Sequence, residues 1–117
     1  MPRVDADELR RIGYLLFEQV GCAAADARTV VDHLVDSSLY GHDSHGQIRI
    51  YEYIGQIRDG IFDPKGRPYV ESDRPCAAVV NGGGALGQIG GTFATQLAIN
   101  KAEQHGVATV TLRNTSH

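Results

Sequence analysis

What most constrains this chain is a change in its hydrophobic rhythm near residue 75. Before that point apolar residues recur three or four apart; after it they gather in short continuous runs separated by glycine. No single regular architecture serves both patterns, so we read a helical part followed by the start of an α+β part. Asp5 with Glu8 three residues later resembles a capping box, with one side chain accepting from the helix N-terminus and the other reaching back. Leu9, Ile12, Leu16 and Val20 then mark one helix face, and Gly21 sits where a glycine ends a helix. A second helix is expected from about Ala24 to Gly41, with a stripe of Ala27, Val30, Val31, Leu34, Val35 and Ser38–Leu39. A third follows Gly46, with Ile50, Tyr51, Ile54 and Ile57. Gly60, Pro64, Gly66 and Pro68 punctuate a turn-rich linker to Pro75. This places a helical domain at residues 1–75 and the beginning of a second domain at 76–117.

In the second part, Cys76–Val80 reads as a buried strand, Phe93–Gln104 as a helix ended by Gly106, and Val107–Leu112 as another strand. Six of the fourteen glycines lie between Gly82 and Gly91. Gly82–Gly87 fits G-x-G-x-x-G, after a strand and before a helix, where glycines allow the backbone to approach a pyrophosphate. The acidic residue that such a site uses about 20 positions later is replaced by Leu112-Arg113-Asn114-Thr115. Two readings stay open: a phosphate-binding turn, or a tight turn with close helix–strand packing.

The densest polar segment is Gly41–Tyr53, between two amphipathic helices. Ser44 and His45 fall at a helix junction, and Arg49 and Tyr53, four apart, share a helix face. Together they suit an anionic ligand, because a guanidinium matches a carboxylate with two parallel hydrogen bonds and hydroxyls orient the remaining oxygens. The plainer alternative is that Ser44 and His45 cap backbone groups and Arg49 is solvated. His42 and His45 are three apart with Asp43 between them, but no third ligand has suitable spacing, so no metal site is expected. Cys22 and Cys76 match no metal or redox spacing, which suits a reducing, cytoplasmic compartment. A net charge of −3 with well-mixed signs argues against nucleic acid, and no apolar run is long enough to span a bilayer.

Asp43-Ser44-His45-Gly46 followed by Arg49 and Tyr53 resembles the signature of the malate/L-lactate dehydrogenase family. Asn81 with its glycines and Gln88, then Asn114-Thr115-Ser116-His117, resembles the family in the same order. The resemblance implies a helical N-terminal domain beside a cofactor domain built on a non-Rossmann, largely antiparallel sheet. It implies reversible hydride transfer between NAD or NADP and a 2-oxo acid/2-hydroxy acid pair, by a homodimeric enzyme. It makes His117 the acid/base at the substrate's C2 oxygen, with Ser44 and His45 beside it in the catalytic set. Arg49 and Tyr53 then bind substrate, Arg49 as carboxylate partner; no residue is assigned to the cofactor. Members run to roughly three times this length, so a truncated chain, inactive alone, is expected. A non-catalytic oligomerisation module and a Rossmann-type nucleotide binder are the alternatives.

Overall fold

The computed structural model describes residues 2–116. Three helices open the chain: α1 (Ala6–Gln19), α2 (Ala24–Leu39) and, after a 3₁₀ turn at Asp43–His45, α3 (Arg49–Arg58). An antiparallel hairpin follows, β1 (Tyr69–Arg74) and β2 (Ala77–Asn81), then α4 (Gly87–His105) and β3 (Thr109–Arg113). The chain divides into two units, residues 1–65 and 66–117.

In the first unit the helix ends obey local chemistry. Asp5 caps α1 by accepting from the N–H groups of Asp7 and Glu8 at 3.0 and 3.1 Å. The reciprocal half of the expected capping box is not made, because Glu8 instead holds Arg11 through two hydrogen bonds of 2.9 and 2.5 Å. Gly21 follows α1 at φ +105, with Cys22 N–H returning to the Phe17 carbonyl and Gly21 N–H to Glu18. That is the paired C-terminal closure in which a left-handed residue satisfies orphan carbonyls. Ala27, Val30, Val31, Leu34 and Val35 of α2 are all buried, as their spacing required. On α1 the buried residues are Gly13 and Phe17, whereas Ile12 and Leu16 of the expected stripe are 40% and 38% exposed. The reason is contact distance. A Cβ on Gly13 would lie 2.7 Å from Val31 Cγ1, so the glycine lets α1 settle onto α2 along its own line. Arg10 braces the pair through Asp32 and Asp36 at 3.2 and 2.7 Å. α3 buries Ile50, Tyr53 and Ile57, and leaves Tyr51 90% exposed.

The second unit is a three-stranded mixed sheet in the order β1-β2-β3. β1 and β2 are antiparallel, and β2 and β3 are parallel, joined by α4. The sheet inferred to be largely antiparallel therefore carries one pair of each kind here, in an α+β arrangement. β1 occupies the stretch read as linker, and the division between units falls ten residues before Pro75. All six β1 residues are exposed, so no apolar alternation announced the strand; pairing with β2 makes it one. α4 begins six residues before its expected start and absorbs Gly87, Gly90 and Gly91. Gly90 and Ala94 are its buried residues, small enough for the helix to lie close on the strands beneath. Val80 and Ala78 of β2 fill the space between.

Candidate functional site

The Schellman closure of α2 is repeated at Gly41 (φ +84), where His42 N–H returns to the Ser37 carbonyl at 2.8 Å. It turns the chain into the 3₁₀ segment Asp43–His45. Gly46 is buried against Ser38, whose Oγ accepts from Gln47 N–H at 2.9 Å, and a Cβ on Gly46 would meet that Oγ at 2.1 Å. This close approach sets the junction from which α3 departs.

Three sequence-selected residues meet at this junction. Ser44 Oγ lies 2.9 Å from His45 Nδ1, and Arg49 Nε donates to the Ser44 carbonyl at 2.7 Å. Ser44 and His45 are exposed, and Arg49 is half-buried. The Arg49 Nη1 pairs with the Glu52 carboxylate, and the described residues leave its Nη2 without a hydrogen-bond partner. The guanidinium is thus held in place while keeping one donor for an outside anion. His42 joins from the other side, its Nε2 3.0 Å from His45 Nδ1 and its ring edge-on to His45. His42 and Glu52 are contacts that the sequence reading did not place in the site. The only signal for Glu52 was its i+3 spacing from Arg49.

Tyr53 stands one helical turn after Arg49 on α3. It is 1% exposed and stacks edge-on with Phe62, with ring centroids 6.3 Å apart, so it stands in the core of the first unit. His117 lies outside the described residues. A groove of about 720 Å³ runs between α1 and α3. Leu9, Ile12, Leu16, Ile48, Tyr51 and Ile54 are among its lining residues, and Ser44, His45, Arg49 and Tyr53 are not. Among the described residues no group of three or more His, Cys, Asp or Glu side chains is placed to hold a metal ion.

The glycine loop decides between its two readings. The parallel β2–β3 pair is the arrangement a dinucleotide turn would need. The amides of its first four glycines, however, are already occupied. Gly82 N–H donates to the Arg113 carbonyl, Gly83 N–H to Asn81 Oδ1, Gly84 N–H to the Asn114 carbonyl and Gly87 N–H to Ser116 Oγ. A pyrophosphate cradle works through unpaired N–H groups, and here they are bound to the chain itself. The loop does not fit the phosphates of a nicotinamide dinucleotide. The glycines serve close packing: a Cβ on Gly82 would stand 2.7 Å from Thr115 Cβ, and one on Gly83 2.3 Å from the Arg67 carbonyl oxygen.

A helical unit carrying a Ser-His-Arg junction is followed in the chain by an α+β unit whose glycine loop is filled by residues 113–116. The chain belongs to the malate/L-lactate dehydrogenase family, which it matches over residues 4–117. It is 35% identical over 115 residues to hydroxycarboxylate dehydrogenase B of Escherichia coli K12, covering 98% of this chain and 32% of that protein. It is 36% identical over 102 residues to L-sulfolactate dehydrogenase of Methanocaldococcus jannaschii, covering 87% of this chain and 30% of that one. The structure of malate dehydrogenase from Pyrococcus horikoshii superposes with a TM-score of 0.95 at 33% identity, over 99% of this chain and 33% of the other. The chain thus spans about a third of the length of these relatives. No helix among the described residues is long and apolar enough to cross a membrane.

Proposed function

We propose that this chain forms the N-terminal part of an NAD(P)-dependent dehydrogenase interconverting a small 2-oxo acid and the matching 2-hydroxy acid. The observation that carries the proposal is the Ser44–His45–Arg49 junction, tied by its own hydrogen bonds in a chain of this family. Arg49 holds the substrate carboxylate through Nη2, and through Nη1 once Glu52 yields. Ser44 and His45 belong to the catalytic set. His45 Nδ1 lies within hydrogen-bond reach of both Ser44 Oγ and His42 Nε2, which orients its ring within the set. Tyr53 supports the substrate site from the core beside Arg49.

Reduction of a ketone gathers negative charge on its oxygen, so a proton donor with pKa near neutrality lowers the barrier; His117 takes that role. The nicotinamide, NAD or NADP, supplies hydride when bound, and the glycine loop is not its cradle. The full-length protein works as a homodimer in the cytoplasm.

The test uses a protein of full family length carrying this chain, assayed for NAD(P)H oxidation with pyruvate, oxaloacetate and related 2-oxo acids. His117→Ala should lower kcat by about 10²–10⁴-fold, the usual contribution of a general acid, with cofactor binding intact. Absence of turnover with every 2-oxo acid would overturn the proposal, and full turnover in His117→Ala would remove that residue from it.

A further inference from the structure

We infer that Glu52 is an internal competitor for the substrate: its carboxylate sits on the edge of Arg49 that an acid would use, and sets how tightly 2-oxo acids are held. The inference rests on the carboxylate-binding role of Arg49 proposed above.

A guanidinium offers a carboxylate two edges for paired hydrogen bonds, Nε with Nη2 and Nη1 with Nη2. Elsewhere in this chain the first edge is used. Arg11 holds Glu8 through Nε and Nη2 at 2.9 and 2.5 Å, and Arg113 holds Glu71 in the same way at 2.7 and 2.5 Å. Arg49 is arranged differently. Its Nε donates to the Ser44 carbonyl at 2.7 Å, so the backbone takes the first edge. Glu52 is left with Nη1 alone.

The carbonyl that receives Nε is itself fixed. Ser44 lies in the 3₁₀ segment Asp43–His45, closed by His45 N–H on the His42 carbonyl and Gly46 N–H on the Asp43 carbonyl, both at 3.1 Å. The backbone therefore aims Arg49 without help from Glu52. Glu52 adds order to the guanidinium, but on the one edge still able to take a carboxylate with two bonds. An acid seated on Nη1 and Nη2 shares Nη1 with Glu52, and two like charges then meet on one nitrogen. Glu52 has room to give way. Its side chain is 44% exposed, and its Oε1 lies 3.4 Å from Gln56 Nε2, one turn further along α3.

Two plainer roles exist for Glu52. It could be a solvated i,i+3 partner, or an acid in the first turn of a helix, where the dipole favours negative charge. Under either role its removal is neutral or harmful to the site. Under competition its removal tightens the substrate, and that sign decides between them.

The test uses the full family-length enzyme with Glu52→Gln and Glu52→Ala, each alone and with Arg49→Ala. KM for the 2-oxo acid and for the matching 2-hydroxy acid should fall by about two- to fivefold in both variants, the scale of an exposed ion pair. Substrate and transition state carry the same carboxylate, so kcat should hold. KM for the cofactor should not move. In the Arg49→Ala background the two substitutions should change nothing further, since they act through the missing guanidinium.

A KM that rises in both variants would make Glu52 a support for Arg49, and an unchanged KM would make it a solvated partner; either overturns the inference. A fall that persists in the Arg49→Ala background overturns it as well, because the charge would then act without the guanidinium. In those cases a raised KM in Arg49→Ala alone leaves the carboxylate role of Arg49 standing. Parent-like KM in Arg49→Ala removes that role, and the inference with it.

Discussion

Arg49 stands at the first turn of α3 with Nε on the Ser44 carbonyl and Nη1 on Glu52. Such anchoring lowers the entropy lost when a third group is bound, because a long, flexible side chain is already ordered. Removing one charge-assisted hydrogen-bonding partner costs roughly 1.5–3 kcal/mol, about a 10–100-fold effect. Arg49→Ala in the full-length enzyme should therefore raise KM for the oxo acid by that factor and leave cofactor affinity unchanged. A change confined to cofactor affinity would contradict the assignment. Glu71 offers a separate test through pH. Its hydrogen bonds from Arg113 hold its carboxyl below the ordinary carboxylate range. The folded state thus binds a proton less readily than the unfolded one, so the stabilisation is present above the unfolded carboxylate pKa. It is lost as pH falls through the lowered folded value. Denaturation midpoints measured against pH should separate the parent from Glu71→Gln near neutrality and converge in acid.

At the level of elements, the glycines divide by what surrounds them. Gly13 in α1 has Val31 at 2.7 Å from its missing Cβ, whereas Gly55 in α3 has nothing within 4 Å. Gly13→Val should therefore destabilise the chain by about 1–3 kcal/mol through overpacking. Gly55→Ala should stabilise it by about 0.5–1 kcal/mol by relieving the helix of glycine's backbone entropy. Urea unfolding of the two variants checks both, and equal signs would refute the packing argument. α4 illustrates the same principle in reverse. Its glycines argued for a later helix start, yet Gly90 lies in the helix because a neighbour occupies the space a side chain would need. β1 was hidden for a different reason: a wholly exposed edge strand carries no burial pattern and exists through its partner.

At the scale of the whole molecule, the chain covers about a third of the length of its relatives. Its sheet ends at β1 on one side and β3 on the other, and neither edge has a further partner among the described residues. The glycine loop is closed by hydrogen bonds to residues of its own chain. The 117-residue chain alone should accordingly show no NAD(P)H oxidation with any 2-oxo acid. Measurable turnover by the isolated chain would show that this third suffices for cofactor binding and chemistry.

Sequence by itself determined what depends on local interactions. The four helices, the α2 core face, the caps at Asp5, Gly21 and Gly41, and the change of architecture in the second half all follow from spacing and backbone preference. So does the grouping of Ser44, His45 and Arg49, because a junction of a few residues leaves them little freedom to separate. Tertiary structure decided what depends on groups distant in the chain. It chose Gly13 and Phe17 over the leucine stripe of α1, made a strand of Tyr69–Arg74, and drew Tyr53 into the core. It also decided between the two readings of the glycine loop, making it a socket for residues 113–116. A glycine pattern records only where side chains are absent; whether a ligand or another part of the chain fills the space is settled by what the fold brings to the same amides.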